Sequence, residues 1–149
     1  MIAIRPAVEA DVDAIVRLCV DHAAYERSTL DADAVRRSLP QYLFGAPPRA
    51  RCLIVESNGA VAGYATHSDE FSTWRAAEYL HMDCLYISKR FRNAGLGAQL
   101  MQRVADDARI LGCDFVEWQT PSWNTDAIRF YDRLGAVGAL KMRYRWPMK

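Results

Sequence analysis

The sequence predicts an α/β fold of the mixed, α+β kind, in which one sheet carries helices on both faces. Three observations point to it. The run Cys52-Leu53-Ile54-Val55 reaches Asn58-Gly59 and is answered by Val61 to Thr66, the pattern of an antiparallel hairpin closed by a tight turn. Leu100, Val104, Ala108 and Leu111 recur four or three residues apart, so the chain from Gly97 reads as a helix with one continuous apolar side that stops at Gly112. On either side of that helix, Tyr79 to Ile87 and Phe115 to Gln119 have the composition of extended segments.

The remaining elements follow in order. Ile2 to Arg5 predicts a short first strand, and Asp11 is placed to cap a helix whose apolar face is Val12, Ile15, Val16 and Cys19. A second, shorter helix follows Asp31 and is expected to end near Pro40, because proline breaks the helical ladder. Ser68 to Arg75 is polar. Asn124 to Leu134 predicts a last helix ended by Gly135, and the segment around Leu140 to Trp146 is expected to be extended.

The 149 residues suit one domain spanning 1–149, with no repeat, low-complexity tract or flexible linker to divide them. Composition is 51% hydrophobic and 25% charged, well away from the disordered and membrane classes. Nineteen basic and eighteen acidic residues leave a net charge of +1, so no broad field directs the chain to nucleic acid or an anionic membrane. Met1 to Arg5 lacks the apolar stretch of a secretory signal, which makes the cytoplasm the expected compartment. Cys19, Cys52, Cys84 and Cys113 are widely spaced, without the pairing of a zinc site, and read as small buried thiols. His22, His67 and His81 show no metal-binding spacing either and read as surface or core histidines, with no metal expected.

The chemistry begins at Arg92-Asn93-Ala94-Gly95-Leu96-Gly97, which leads from a strand into a helix. Such a junction turns unpaired backbone N–H groups toward one point, and the positive end of the helix favours a diphosphate there. Gly95 and Gly97 leave room for a close approach, and Arg92 adds a cation. Glycine serves tight turns and close helix packing equally well, so the loop by itself leaves both readings open.

Arg92, Gly95 and Gly97 match the Gln/Arg-x-x-Gly-x-Gly/Ala motif of the GCN5-related N-acetyltransferase (GNAT) superfamily. Further along, Trp123-Asn124, Ile128, Phe130-Tyr131 and Gly135-Ala136 resemble that family's second coenzyme A motif. The segment Asp83 to Ala136 is similar to the spermidine/spermine (diamine) acetyltransferase branch, and Tyr25-Glu26 echoes it near the N-terminus. Many members of that branch have glycine where this chain has Asn93.

The resemblance implies a mixed, mostly antiparallel sheet, splayed between the strands before and after the cofactor-binding helix. It implies acetyl-CoA as co-substrate, with the pyrophosphate on residues 92–97 and the pantetheine arm on the backbone of Leu85 and Ile87. The side chains of those two residues are free to alternate into a core. Asn124 and Tyr131 fall in the second cofactor motif. Tyr131 corresponds to the tyrosine beside the coenzyme A sulfur, where a phenol protonated at neutral pH can donate to a departing thiolate; packing alone is the other reading. Asp83 takes the place of the glutamate that deprotonates the amine, directly or through water, or else it satisfies a strand-end amide or a nearby arginine. Glu78 and His81 stand in reserve. Tyr25, Glu26 and Asp83 become acceptor-binding candidates, and Glu26, Asp69, Glu70 and Asp83 suit a diamine or polyamine if they converge. An amino acid, an aminoglycoside, a peptide amino terminus or a non-catalytic coenzyme A-binding role are the alternatives. Relatives commonly form homodimers, and Tyr144 to Trp146 is a candidate contact or a core strand.

Overall fold

The computed structural model describes residues 1–149. In chain order the elements are β1 (Ile2–Pro6), a 3-10 turn (Glu9–Asp11), α1 (Val12–Tyr25), α2 (Ala32–Leu43), β2 (Arg51–Ser57), β3 (Ala60–Ser72), β4 (Ala77–Ile87), a second 3-10 turn (Lys89–Phe91), α3 (Leu96–Ile110), β5 (Phe115–Glu117) and α4 (Thr125–Arg133). They form two compact units, Met1–Trp118 and Gln119–Lys149. No helix is long and apolar enough to cross a membrane.

The first unit is built on a sheet of strand order β1-β2-β3-β4-β5, antiparallel except for the parallel β4–β5 pair. The hairpin foreseen between β2 and β3 turns at Asn58 and Gly59, both at positive φ, as a tight hairpin turn demands. Because side chains alternate along a strand, Cys52 and Ile54 of β2 join Ile15, Leu18, Leu43, Tyr64 and Tyr86 in a core beneath α1 and α2. Leu53 and Val55 are buried on the other face, which α3 covers with its own buried row of Leu96, Leu100, Val104 and Ala108. Helices on both faces explain why these strands read as near-continuous apolar runs. The fold is thus the mixed, mostly antiparallel α/β arrangement expected.

Three local expectations are corrected. Asp11 does not cap α1 with its side chain; its carboxylate instead accepts from the Val8 N–H at 2.8 Å and from Arg5 at 2.7 and 3.0 Å, a charge-assisted pairing that outcompetes a cap. Helix α2 runs through Pro40 to Leu43, since one proline removes a single ladder bond and the Phe44 N–H still reaches the Pro40 carbonyl at 2.9 Å. No strand forms over residues 140–146. Leu140, Met142, Tyr144 and Trp146 alternate as a strand would, yet each is at least 78% exposed and the segment has no ladder neighbour.

In the second unit Asn124 caps α4, its side-chain oxygen accepting from the Ala127 N–H at 3.2 Å. The helix closes where the Ala136 N–H returns to the Tyr131 carbonyl at 3.2 Å, just past Gly135 as expected.

Candidate active site

Strand β4 carries the central geometry. The Ser88 N–H donates to the Ala62 carbonyl at 2.8 Å, and Tyr86 stands opposite Tyr64 in the same register. In an antiparallel ladder alternate residues bond to the neighbour, so the even-numbered residues here turn their backbone to β3 and Leu85 and Ile87 turn theirs away. Strand β5 pairs only with Tyr79, Leu80 and His81. Past that point the two strands splay, and the amide and carbonyl of Leu85 point toward a side from which β5 is missing.

The chain then passes through Lys89–Phe91 to the loop. Asn93 lies at φ 64° and Gly95 at φ 76°, and these left-handed residues reverse the backbone so that α3 starts at Leu96. The first helical bond of α3 runs from Gln99 N–H to the Gly95 carbonyl at 3.2 Å, which leaves the N–H groups of Leu96, Gly97 and Ala98 at the open helix end. A Cβ built on Gly95 would meet nothing within 4 Å, so the space above the loop is free; it is the φ that calls for glycine. These donors fit a diphosphate.

Arg92 does not extend from the loop as an isolated cation. Its Nε donates to the Ile87 carbonyl at 2.8 Å, and its guanidinium lies 4.7 Å from the Tyr25 ring centroid and 5.3 Å from that of Tyr86. The arginine thereby ties loop, β4 and the end of α1 together, and it takes the carbonyl of Ile87, leaving Leu85 with the open backbone.

At the end of α1, His22 is stacked on Tyr86, with centroids 5.2 Å apart and planes at 21°, and its Nδ1 lies 3.0 Å from the Tyr64 hydroxyl. Its Nε2 is 3.7 Å from a Glu26 carboxylate oxygen one turn on. Burial lowers the imidazole's affinity for a proton; the charges of Glu26 and Asp83 oppose that and Arg92 reinforces it. Glu26 and Asp83 therefore act on one group. Asp83 is itself largely exposed, 4.0 Å from His81 Nε2, with the Cys84 thiol 3.6 Å away. Asp69 is not part of this set: it pairs with Arg51 at 2.7 Å, while Glu70 accepts from Ser68. Burial pushes the thiols of Cys52 and Cys84 up to about 12 and raises those of Cys19 and Cys113, so all four stay protonated at neutral pH.

In the second unit, Asn124 is buried at the head of α4, and Tyr131 is half-buried on the same helix with its ring 5.2 Å from that of Phe130.

Sequence reasoning missed His22, Tyr64 and Tyr86 as a group. Each had an ordinary place in an apolar pattern, and only the Tyr64–Tyr86 register across β3 and β4 unites them under α1. The available signal was position: His22 precedes Tyr25-Glu26 by one helical turn.

A strand with open backbone, splayed from its neighbour and feeding a helix N-terminus through a glycine loop, belongs to acyl-group transferases of one fold. The Acetyltransferase (GNAT) family matches residues 13–136, and this chain belongs to it. It is similar to the thialysine N-epsilon-acetyltransferase of Bos taurus, with 29% identity over 91% of this chain and 84% of that one. It is also similar to the human spermidine/spermine N(1)-acetyltransferase-like protein 1, with 26% identity over 90% of this chain and 20% of that one. Among solved structures, a "possible acetyltransferase" from Clostridium difficile 630 superimposes with a TM-score of 0.85 at 19% identity, covering 100% of this chain and 99% of that one. The chain is an N-acetyltransferase of this family, and its relatives act on amines.

Proposed function

We propose that residues 1–149 form one acetyltransferase domain that moves an acetyl group from acetyl-CoA to a primary amine of a small molecule, foremost a diamine or polyamine, by direct attack while both are bound. The observation that carries this reading is the pair of open backbone donor sites on one stretch of chain, the Leu85 amide turned away from β3 and the N–H groups of Leu96, Gly97 and Ala98 at the start of α3. The thioester supplies an activated acetyl carbon. The chain supplies the rest: N–H groups around residues 93–98 bind the diphosphate, and the Leu85 amide donates to the oxygen that becomes negative during attack. Asp83 takes the ammonium proton, directly or through water, and Tyr131 protonates the leaving sulfur. Holding both reactants in one geometry accounts for much of the barrier lowering, of order 7–11 kcal/mol in favourable cases.

Tyr25, Glu26 and Asp83 are assigned to the acceptor. The two carboxylates suit a cationic chain whose far end stays charged while the near amine reacts. A second reading, transfer to the side-chain amine of an amino acid, is favoured by the bovine relative's activity on thialysine. Calorimetry with acetyl-CoA tests the donor, and coenzyme A release across an amine panel tests the acceptor. Micromolar binding with turnover on diamines is expected; negligible acetyl-CoA affinity in folded protein overturns the donor assignment, and strong preference for an anionic amino acid overturns the polyamine assignment.

The same reading includes a homodimer working in the cytoplasm. Its support is the exposed alternation of Leu140, Met142, Tyr144 and Trp146, apolar surface of a kind that monomers rarely leave bare. Sedimentation at micromolar concentration should give twice the chain mass, and Tyr144→Ser with Trp146→Ser should halve it; a monomeric parent refutes the dimer.

A further inference from the structure

We propose that His22 is a positioning residue for the acceptor: as a neutral ring it leaves Glu26 free to meet the incoming ammonium, and as a cation it draws that carboxylate into an internal ion pair. The inference rests on the reading that Glu26 receives a cationic amine.

The geometry holds the ring between a hydroxyl on one nitrogen and a carboxylate on the other. Tyr64 is almost wholly buried, and burial raises its pKa far above the ordinary phenol value, so its hydroxyl stays protonated and shares a 3.0 Å hydrogen bond with His22 Nδ1. The Glu26 carboxylate, 3.7 Å from Nε2, favours the neutral tautomer with its proton on that nitrogen, in which the Tyr64 hydroxyl is the donor to Nδ1. Stacking on Tyr86 and the edge contact with Tyr64, centroids 6.0 Å apart at 76°, prevent the ring from turning elsewhere. A neutral N–H offers Glu26 only a dipole, whereas an imidazolium at the same distance offers a full charge. The carboxylate therefore has two competing partners, the substrate ammonium and a protonated His22.

The groups facing this ring set the balance. Tyr64 bonds it from β3, Tyr86 stacks on it from β4, and the Cys19 and Cys84 thiols lie against Tyr64. Glu26 from α1 and Asp83 from β4 favour the cation; Arg92 and burial oppose it, and burial is the largest influence. Neutral His22 is therefore the resting state near pH 7, and Glu26 is available there.

The test compares steady-state kinetics of wild type, His22→Gln and His22→Leu between about pH 5 and 9. Glutamine can point an uncharged N–H at Glu26 and never becomes a cation. Its amine KM should match wild type near neutrality but lack the rise that wild type shows on the acid side. Leucine removes the orienting N–H and should raise the amine KM about tenfold at neutral pH, with acetyl-CoA KM unchanged. An acid-side rise of equal size in wild type and His22→Gln overturns the proposal, as does a wild-type amine KM in His22→Leu. Proton NMR of the His22 ring gives a second arm that needs no turnover: Glu26→Gln should lower its titration midpoint, and an unchanged midpoint overturns the pairing. If wild type acetylates no cationic amine, the acceptor assignment fails, while the NMR arm still decides whether His22 and Glu26 are coupled.

Discussion

Gly63→Ala should damage both stability and donor binding, because at Gly63 there is no room for a Cβ against the working part of β4. Gly63 stands opposite Ile87 in the ladder, and a Cβ there would sit 2.4 Å from the Tyr86 carbonyl oxygen, 2.6 Å from Ile87 Cδ1 and 3.1 Å from Ile87 Cα. The Ile87 methyl can rotate away, but the Tyr86 oxygen is backbone and lies about 1 Å inside the 3.4 Å where ordinary contact begins. Overpacking costs typically about 1–3 kcal/mol, and a backbone obstacle puts this site near 3 kcal/mol, or a urea midpoint lower by roughly 1–2 M. The strand that must yield is the one bearing Leu85 and the Arg92 anchor on Ile87. A displacement of that size should lower kcat/KM for acetyl-CoA by about tenfold or more. Urea titration and initial rates measure the two effects. The control is Ala65→Gly, which removes a buried methyl opposite Leu85 and costs about 1 kcal/mol without pushing on β4. Wild-type stability and wild-type acetyl-CoA kinetics in Gly63→Ala would refute the reasoning, since the close approach would then not constrain β4.

Three further outcomes are expected. Tyr131→Phe should slow turnover by about a hundredfold while changing acetyl-CoA affinity little in calorimetry, and unchanged turnover removes Tyr131 from the acid role. Arg5 holds the Asp11 carboxylate below its ordinary pKa, so this stabilisation is present above the unfolded value of about 3.9 and is lost as pH falls through the lower folded value. Asp11→Asn should accordingly cost about 1.5–2 kcal/mol at pH 7 in urea titration, with a gap from wild type that closes in acid; a gap independent of pH refutes it. His67 is buried with both ring nitrogens unbonded and a lowered pKa, caused by burial, with Asp107 3.6 Å away. The unfolded chain binds the proton more readily, so stability should decline as pH drops below about 6.5, and His67→Met should flatten that decline; an unaltered slope counts against it.

What the sequence made legible was contiguous. The loop from Arg92 to Gly97 and the Asn58-Gly59 turn could be read because every residue needed for their shape lies within a few positions, and left-handed backbone at Gly95 and Gly59 is a local property. The His22 cluster was opaque for the opposite reason, since α1, β3 and β4 contribute one ring each and only ladder register brings them together. Asp11 shows a subtler limit. Aspartate suits an N-cap, but it suits Arg5 better, and residue type alone does not rank a cap against an arginine that arrives from β1 and is shared with Glu56 of β2. The segment around Leu140 to Trp146 is expected to be extended, with a core strand as one reading of its end, yet no strand forms there, because a strand is a relation between segments and this one has no ladder partner.

The splay between β4 and β5 follows from how short β5 is. A parallel ladder carried as far as Leu85 would pair its amide with β5 and use up the donor needed for the acyl group. The ladder ends at Glu117, and Pro121 soon after has no N–H to extend it. On the other edge of β4 the pairing with β3 is long, running from Ala77 to Ile87, and the bulge between Thr66 and His67 blocks a uniform slip of one strand along the other. That asymmetry matters because a slip of one residue would exchange the roles of odd and even positions. Leu85 would then bond to β3, Tyr86 would leave His22, and the open donor and the acceptor cluster would be lost together. Strong pairing on one side of β4 is therefore what allows pairing to be absent on the other.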